Sequence, residues 1–283
     1  MENKPVHNRV FPERGSVYDR NFSGINATVQ RNPRYIDPIS PKEVLNICTV
    51  SFNQNECIQS LHHSLSITCK LPWKMYVIDN GSRQDHLGSL REFCKNNNIN
   101  LLERICRYTM SRASEAHGDA LDFAMEKIGN ENSIMTIVDS DFFFVKNGWD
   151  TMLRGILPKF GHITTMRNFN VHHPAAFMSM FRKKTIKLKR VSFMPVVGRN
   201  GKAINYQDVG HRLNKIQISK WQKLRNIPIE MSHSKITATE GSYDIYMHNQ
   251  PIASHLSRGR IGRRRREVHE QWREQCIIFK DQN

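Results

Sequence analysis

The stretch Ile134-Met-Thr-Ile-Val-Asp-Ser-Asp-Phe-Phe-Phe144, IMTIVDSDFFF, is a β-branched and apolar run broken once, by two carboxylates one residue apart. Up to Val138 it has the length and composition of a strand buried on both faces. Two like charges at the end of such a strand raise each other's pKa unless something positive sits beside them. An Asp-Ser-Asp triplet alone is also a common polar turn, so its neighbours have to decide.

Working upstream, EVLNICTV (43–50), WKMYVIDNGS (73–82) and INLLERI (99–105) read as further strands. NECIQSLHHSL (55–65), HLGSLREFCKNN (86–97) and SEAHGDALDFAMEKI (114–128) carry apolar residues at helical spacing, the last with Ser114 as N-cap. Strands alternating with helices predict an α/β fold, a mostly parallel, Rossmann-like sheet flanked by helices, with ligands at the carboxyl ends of the strands. Asp79, Asp139 and the loop starting at Ser51 then share one rim. Carboxylates gathered there call for a divalent cation, and hard oxygen ligands suit Mg²⁺ or Mn²⁺ bound together with substrate phosphates.

Composition narrows the partners. The 283 residues contain no run of about 18 apolar residues. The N-terminus lacks an apolar signal-peptide core, so a cytoplasmic location is expected, with a peripheral place at the inner membrane surface as the alternative. Six scattered cysteines without a CxxC pair read as reduced thiols. The net charge is +16, and RKKTIKLKR (182–190) with RGRIGRRRREVHEQWR (258–273) supplies +11 of it in 25 residues. Clustered charge of that kind attracts phosphate-rich partners or forms a solvated helix face. Residues 1–42 are polar and turn-rich, an arm or cap; 43–257 form the catalytic domain, divided into 43–145 and 146–257; 258–283 form a basic, helical tail.

Four segments in order, TVSFNQNE (49–56), VIDNGSRQD (77–85), SEAHGDALDFAM (114–125) and IVDSDFF (137–143), resemble the motifs of GT-A glycosyltransferases of the family-2-like group. The similarity spans about Glu43 to Leu157 and is looser beyond. It implies a nucleotide-diphospho-sugar transferase fold, a donor-binding half followed by an acceptor half, and a UDP-sugar as the favoured donor. By the same resemblance Thr49, Ser51, Asp79, Gly81, His117 and Asp139 would meet the donor nucleotide. Asp139, Asp141 and a late-strand His255 would hold Mn²⁺ or Mg²⁺. Asp208, heading INYQDVGHRLNKI (204–216), would be the base for an inverting displacement, and Trp149 would pack or line the sugar pocket. The pair His117-Gly118 departs from the family's usual residues at that place. His62, His63, His172 and His173 read as core or surface residues.

Arg182, Lys183, Arg258, Arg260, Arg263 and Arg264 are expected on the acceptor side, where three readings stand. A phosphorylated or lipid-linked glycan is favoured by the family. DNA carrying a hydroxymethylated base is favoured by the Arg-rich run, and that base would have to leave the duplex. A non-catalytic nucleic-acid binder on the same scaffold would have no use for an acidic rim.

Overall fold

A computed structural model of the chain describes residues 43–160, 162–169, 171–188, 190–196, 209–215, 229–256 and 265–282, all within one compact unit, residues 36–283. Its first half runs β1 (Leu45–Ser51), α1 (Asn55–Thr68), β2 (Trp73–Asn80), α2 (Gln84–Asn96), β3 (Asn100–Arg104), α3 (Ala113–Lys127) and β4 (Ile134–Val138). The strands lie side by side in the order β3-β2-β1-β4, every pair parallel. The order reverses at β1, so the crevice beyond the carboxyl ends of β1 and β4 is the topological switch point where α/β sheets bind ligands.

Alternation along each strand divides the core into two layers. Leu45, Ile47, Met75, Val77, Ile134 and Val138 pack with Ile58, Leu61 and Leu65 of α1 and Leu90 of α2. Cys48, Ile78, Met135 and Ile137 face the other way, onto Ala120, Leu121, Ala124 and Met125 of α3.

After β4 come β5 (Phe142–Phe144), α4 (Trp149–Phe160), β6 (His162–Phe169), β7 (Val171–Arg182), α5 (Lys183–Leu188), β8 (Ile229–His233), β9 (Ser242–Met247), β10 (Gln250–Leu256) and α6 (Arg265–Gln282). The sheet continues β4-β7-β6-β8-β9-β10-β5, and of these joins only β6 with β8 is parallel. The parallel sheet expected from the first half is therefore extended by a largely antiparallel one. Its β9–β10 hairpin turns on His248 and Asn249, with φ of 50° and 61°. Positive φ at both central residues is what a two-residue turn needs to match the strand twist.

Strands β4 and β5 are consecutive in sequence yet six steps apart in the sheet. A flat sheet would separate them by about 29 Å at ~4.8 Å per step. The linking Asp139-Ser140-Asp141 spans at most about 14 Å between Val138 and Phe142. The sheet must therefore curl until its far edge returns to the end of β4, and the two aspartates lie on the seam. Leu256 N–H donates to Asp141 C=O at 2.9 Å, tying β10 to that seam.

The segment around 204–216 is in its described part a turn through Gly210 (φ +87°) followed by a 3-10 turn, His211–Lys215. Such a φ lies outside the α-helical region. The arm 1–42 lies outside the described residues, as does residue 208.

Candidate active site

At the end of β2, Asp79 is fixed by its own turn. Its Oδ2 accepts the N–H groups of Gly81 and Ser82 at 3.2 and 3.1 Å. Gly81 has φ +83°, and a Cβ there would lie 3.1 Å from Cys106 Cβ, so glycine permits the turn. The other oxygen, Oδ1, is buried with no hydrogen-bond partner among the described residues, as are Thr49 Oγ1 and Ser51 Oγ. Thr49 and Ser51 end β1, and Ser51 is in register with Asp79. Buried polar atoms are nearly always bonded, so three orphans on adjacent strand ends mark a place built for hydrogen-bonding groups beyond the described residues.

Next to it stands the acidic seam. His255 Nε2 lies 3.3 Å from Asp141 Oδ1 and 3.7 Å from Asp139 Oδ2. One ligand atom from each of Asp139, Asp141 and His255 falls within 4.8 Å of the others. Neighbouring ligands on Mg²⁺ or Mn²⁺ at ~2.1 Å are about 3 Å apart, so small side-chain movements suffice, and two carboxylates with one imidazole fit such an ion. His117 Nε2 approaches Asp139 from the other side, 3.7 Å from Oδ1. That Oδ1 is buried without a hydrogen-bond partner among the described residues. A Cβ on Gly118 would sit 2.7 Å from Phe193 O, so α3 can lie this close to the 193–194 backbone only with glycine.

Two residues on the same rim escaped the sequence reading. Asn80 donates from Nδ2 to Ala116 C=O at 3.1 Å, while its Oδ1 is buried without a partner among the described residues. Arg104, in register with Asn80, pairs with Asp119 and lies over the Phe123 ring, yet its Nη1 is likewise buried and unpartnered. Both lie at the ends of stretches already read as strands, which was the available signal.

Arg182 and Lys183 go elsewhere. Ile134 pairs with Arg182 at the start of β4, about 13 Å along the strand from Val138. Both residues are about 95% buried. Arg182 donates to Glu43 and to Asn132 C=O, both at 2.9 Å. Lys183 Nζ donates to Ile128 and Gly129 C=O at 2.9 and 3.1 Å, closing the end of α3, and burial holds its ammonium below the usual lysine range. The expectation that these two meet an acceptor is corrected: they are structural cations on the opposite rim. Lys183→Met is accordingly expected to cost about 1–3 kcal/mol in urea unfolding, the penalty of leaving buried carbonyls unbonded, without changing the chain's affinity for Mn²⁺.

The tail divides as well. Helix α6 contains four Arg or Lys and four Asp or Glu, so it is neutral overall. Its inner face is apolar, with Trp272 and Cys276 fully buried against Phe143, Val145 and Leu256. Arg258, Arg260, Arg263, Arg264 and Asp208 lie outside the described residues. Trp149, expected to pack or to line a pocket, is fully buried and stacked on Phe144. Among the described residues no helix is long and apolar enough to cross a membrane.

No family model and no curated protein matches the sequence. Solved structures do resemble the chain in fold. A mannosyltransferase from Pyrobaculum calidifontis in complex with GDP-Man and Mn²⁺ is 13% identical, with 65% of this chain and 55% of that one covered at a TM-score of 0.45. S. aureus TarS 1-349 in complex with UDP-GlcNAc is 14% identical, with 53% and 48% covered at 0.38. Glucosyl-3-phosphoglycerate synthase from Mycobacterium tuberculosis, in complex with Mn²⁺, UDP and glucosyl-3-phosphoglycerate, is 13% identical, with 51% and 58% covered at 0.39. The chain thus spans about half the length of these proteins, and 30% of a longer TarS chain. In overall fold, the chain is similar to glycosyltransferases of the GT-A type.

Proposed function

We propose that the chain is a metal-dependent glycosyltransferase that moves a sugar from a nucleotide-diphosphate sugar, a UDP-sugar by preference, to a hydroxyl of an acceptor. The observation that carries this is the pairing, at one switch point, of a cation-shaped Asp139-Asp141-His255 cluster with the orphaned polar atoms of Thr49, Ser51 and Asp79. A divalent cation alone would explain the first group and a nucleoside alone the second. A nucleoside diphosphate with its metal explains both.

In this reading Asp79 Oδ1 accepts an N–H of the base, and the hydroxyls of Thr49 and Ser51 border it. The Gly81 and Ser82 amides hold the carboxylate still from behind, so little order has to be imposed when the donor arrives. Asp139, Asp141 and His255 would hold Mn²⁺ or Mg²⁺, which when bound stabilises the charge of a leaving diphosphate. Asn80, Arg104 and His117 add hydrogen-bonding groups along the same rim. Transfer forms a bond from the acceptor oxygen to the anomeric carbon and breaks the bond from that carbon to the diphosphate. The acceptor proton passes to a base, for which Asp208 remains the candidate, and a single displacement of this kind inverts the anomeric centre.

For the acceptor, a glycan is the reading the charge distribution supports. With Arg182 and Lys183 buried on the far rim and α6 neutral, the case for DNA rests on the other cations of 182–190 and on Arg258, Arg260, Arg263 and Arg264. A hydrolysis screen of UDP-, GDP- and dTDP-sugars with Mn²⁺, repeated with each acceptor class, tests the proposal. One donor should be cleaved in a metal-dependent way and faster with its acceptor. Metal-independent cleavage, or none with any donor, would sink it. An affinity falling with log salt at about −0.9 per phosphate would move the acceptor to DNA.

A further inference from the structure

The cation cluster is built beside the shortest strand among the described residues. Strand β5 has three residues, stands last in the strand order and, among the described residues, pairs only with β10. A pair this short does not fix side-chain positions by its ladder alone, and what packs on it decides. On one face Phe142 and Phe144 enter the main core, and the Phe142 ring lies 4.8 Å from the His255 ring. On the other face α1 and α6 meet: Phe143 faces the Trp272 ring of α6 edge-on at 6.2 Å and the His63 ring of α1 at 6.2 Å.

Ser254, fully buried and next to His255, is held by α6: its Oγ accepts the Trp272 indole N–H at 3.0 Å. Successive residues of a strand face opposite sides. Pinning Ser254 to the helix therefore fixes the direction in which His255 leaves the strand. His269, 5% exposed and with its ring 5.7 Å from that of Trp272, is held below the usual imidazole range by burial.

We infer that α6 is the positioning element of the cation site, and that Trp272 acts through Ser254 to set the approach of His255 to Asp141. This rests on the metal-site reading above but asks something different of the molecule. Acidic sites of this kind need their ligands held, and groups that orient ligands commonly govern affinity about 10–100-fold when bonded to the ligand directly. Here the influence passes through one peptide unit, so a smaller effect is expected.

The test is the Mn²⁺ affinity of the full chain without nucleotide, read from the electron paramagnetic resonance signal of the free ion, for wild type, S254A, S254T, W272F and D141N. Urea unfolding of the same samples separates a loss of fold from a loss of site. S254A and W272F should each weaken Mn²⁺ about 3–10-fold. S254T keeps the hydroxyl acceptor and should stay within twofold of wild type. The double variant S254A/W272F should be no weaker than the weaker single one, because both remove the same hydrogen bond. Affinities within twofold of wild type for S254A and W272F, beside a D141N that has lost the ion, would overturn the positioning role while leaving the cation site standing. A D141N that binds Mn²⁺ like wild type would overturn the cation site, and the positioning role with it.

Discussion

Asp141→Asn is expected to lower metal-dependent donor cleavage about 10³-fold while leaving the fold at least as stable as wild type. The two halves of that statement have different causes. Asp141 is 2% exposed and sits 3.3 Å from His255. Replacing one of two carboxylates with a neutral amide removes the charge that would hold a cation, and losses of about 10²–10³ follow when a single preorganised electrostatic contact to a developing charge is lost. The seam is also tied by the Leu256 N–H to the Asp141 backbone carbonyl, which the substitution leaves in place. Without an ion, Asp139 and Asp141 repel each other, so the neutral residue relieves the apo protein. Turnover with saturating Mn²⁺ and urea unfolding without it are the two measurements. A variant that loses stability in step with activity would mean that Asp141 is structural.

Trp149→Ala should have the opposite profile, with about 3–5 kcal/mol of stability lost in urea unfolding, as for other fully buried aromatics cut back to alanine. Trp149 opens α4 stacked on Phe144, ring centroids 3.9 Å apart and planes at 11°. The residues around it are held on both sides. Gly148 N–H donates to Thr68 C=O at 2.7 Å, and the fully buried Asp150 accepts the N–H groups of Lys70 and Leu71. The neighbourhood therefore cannot collapse into the space the indole leaves, which places the expected cost in the upper part of the range. A stability change under 1 kcal/mol with a raised donor KM would return Trp149 to the sugar pocket.

What could be read from the sequence and what could not follow a physical division. Strands β1 and β4 are buried on both faces and so appear as continuous apolar runs, β2 is buried over its second half, and a helix follows each of β1, β2 and β3, which makes those connections parallel. The acidic ends of β2 and β4 stand out against such runs. The antiparallel half is less legible. Strand β9, SYDIYM, mixes polar and apolar residues, and β10 begins QP and shifts register between Pro251 and Ala253. Its hairpin turn is His-Asn rather than the more telling Asn-Gly. The curl of the sheet, which brings His255 to Asp141, is a property of strand order and has no local signature.

The basic runs misled for a related reason. A lysine that closes a helix end, as Lys183 does, looks in sequence like one that meets a phosphate. In α6, Val268, Trp272 and Cys276 recur at helical spacing, and the stripe is visible once the arginines around it are set aside.

The most direct test of the central claim is the coupling between metal and nucleotide. UDP is titrated calorimetrically into the full chain with and without saturating Mn²⁺, and Mn²⁺ is titrated with and without saturating UDP. If the acidic seam and the Asp79 pocket are two halves of one donor site, each ligand should tighten the other by the same factor, about 10-fold or more, because such coupling is reciprocal. The coupling should vanish in D141N. UDP and Mn²⁺ that bind with no influence on each other would contradict the account.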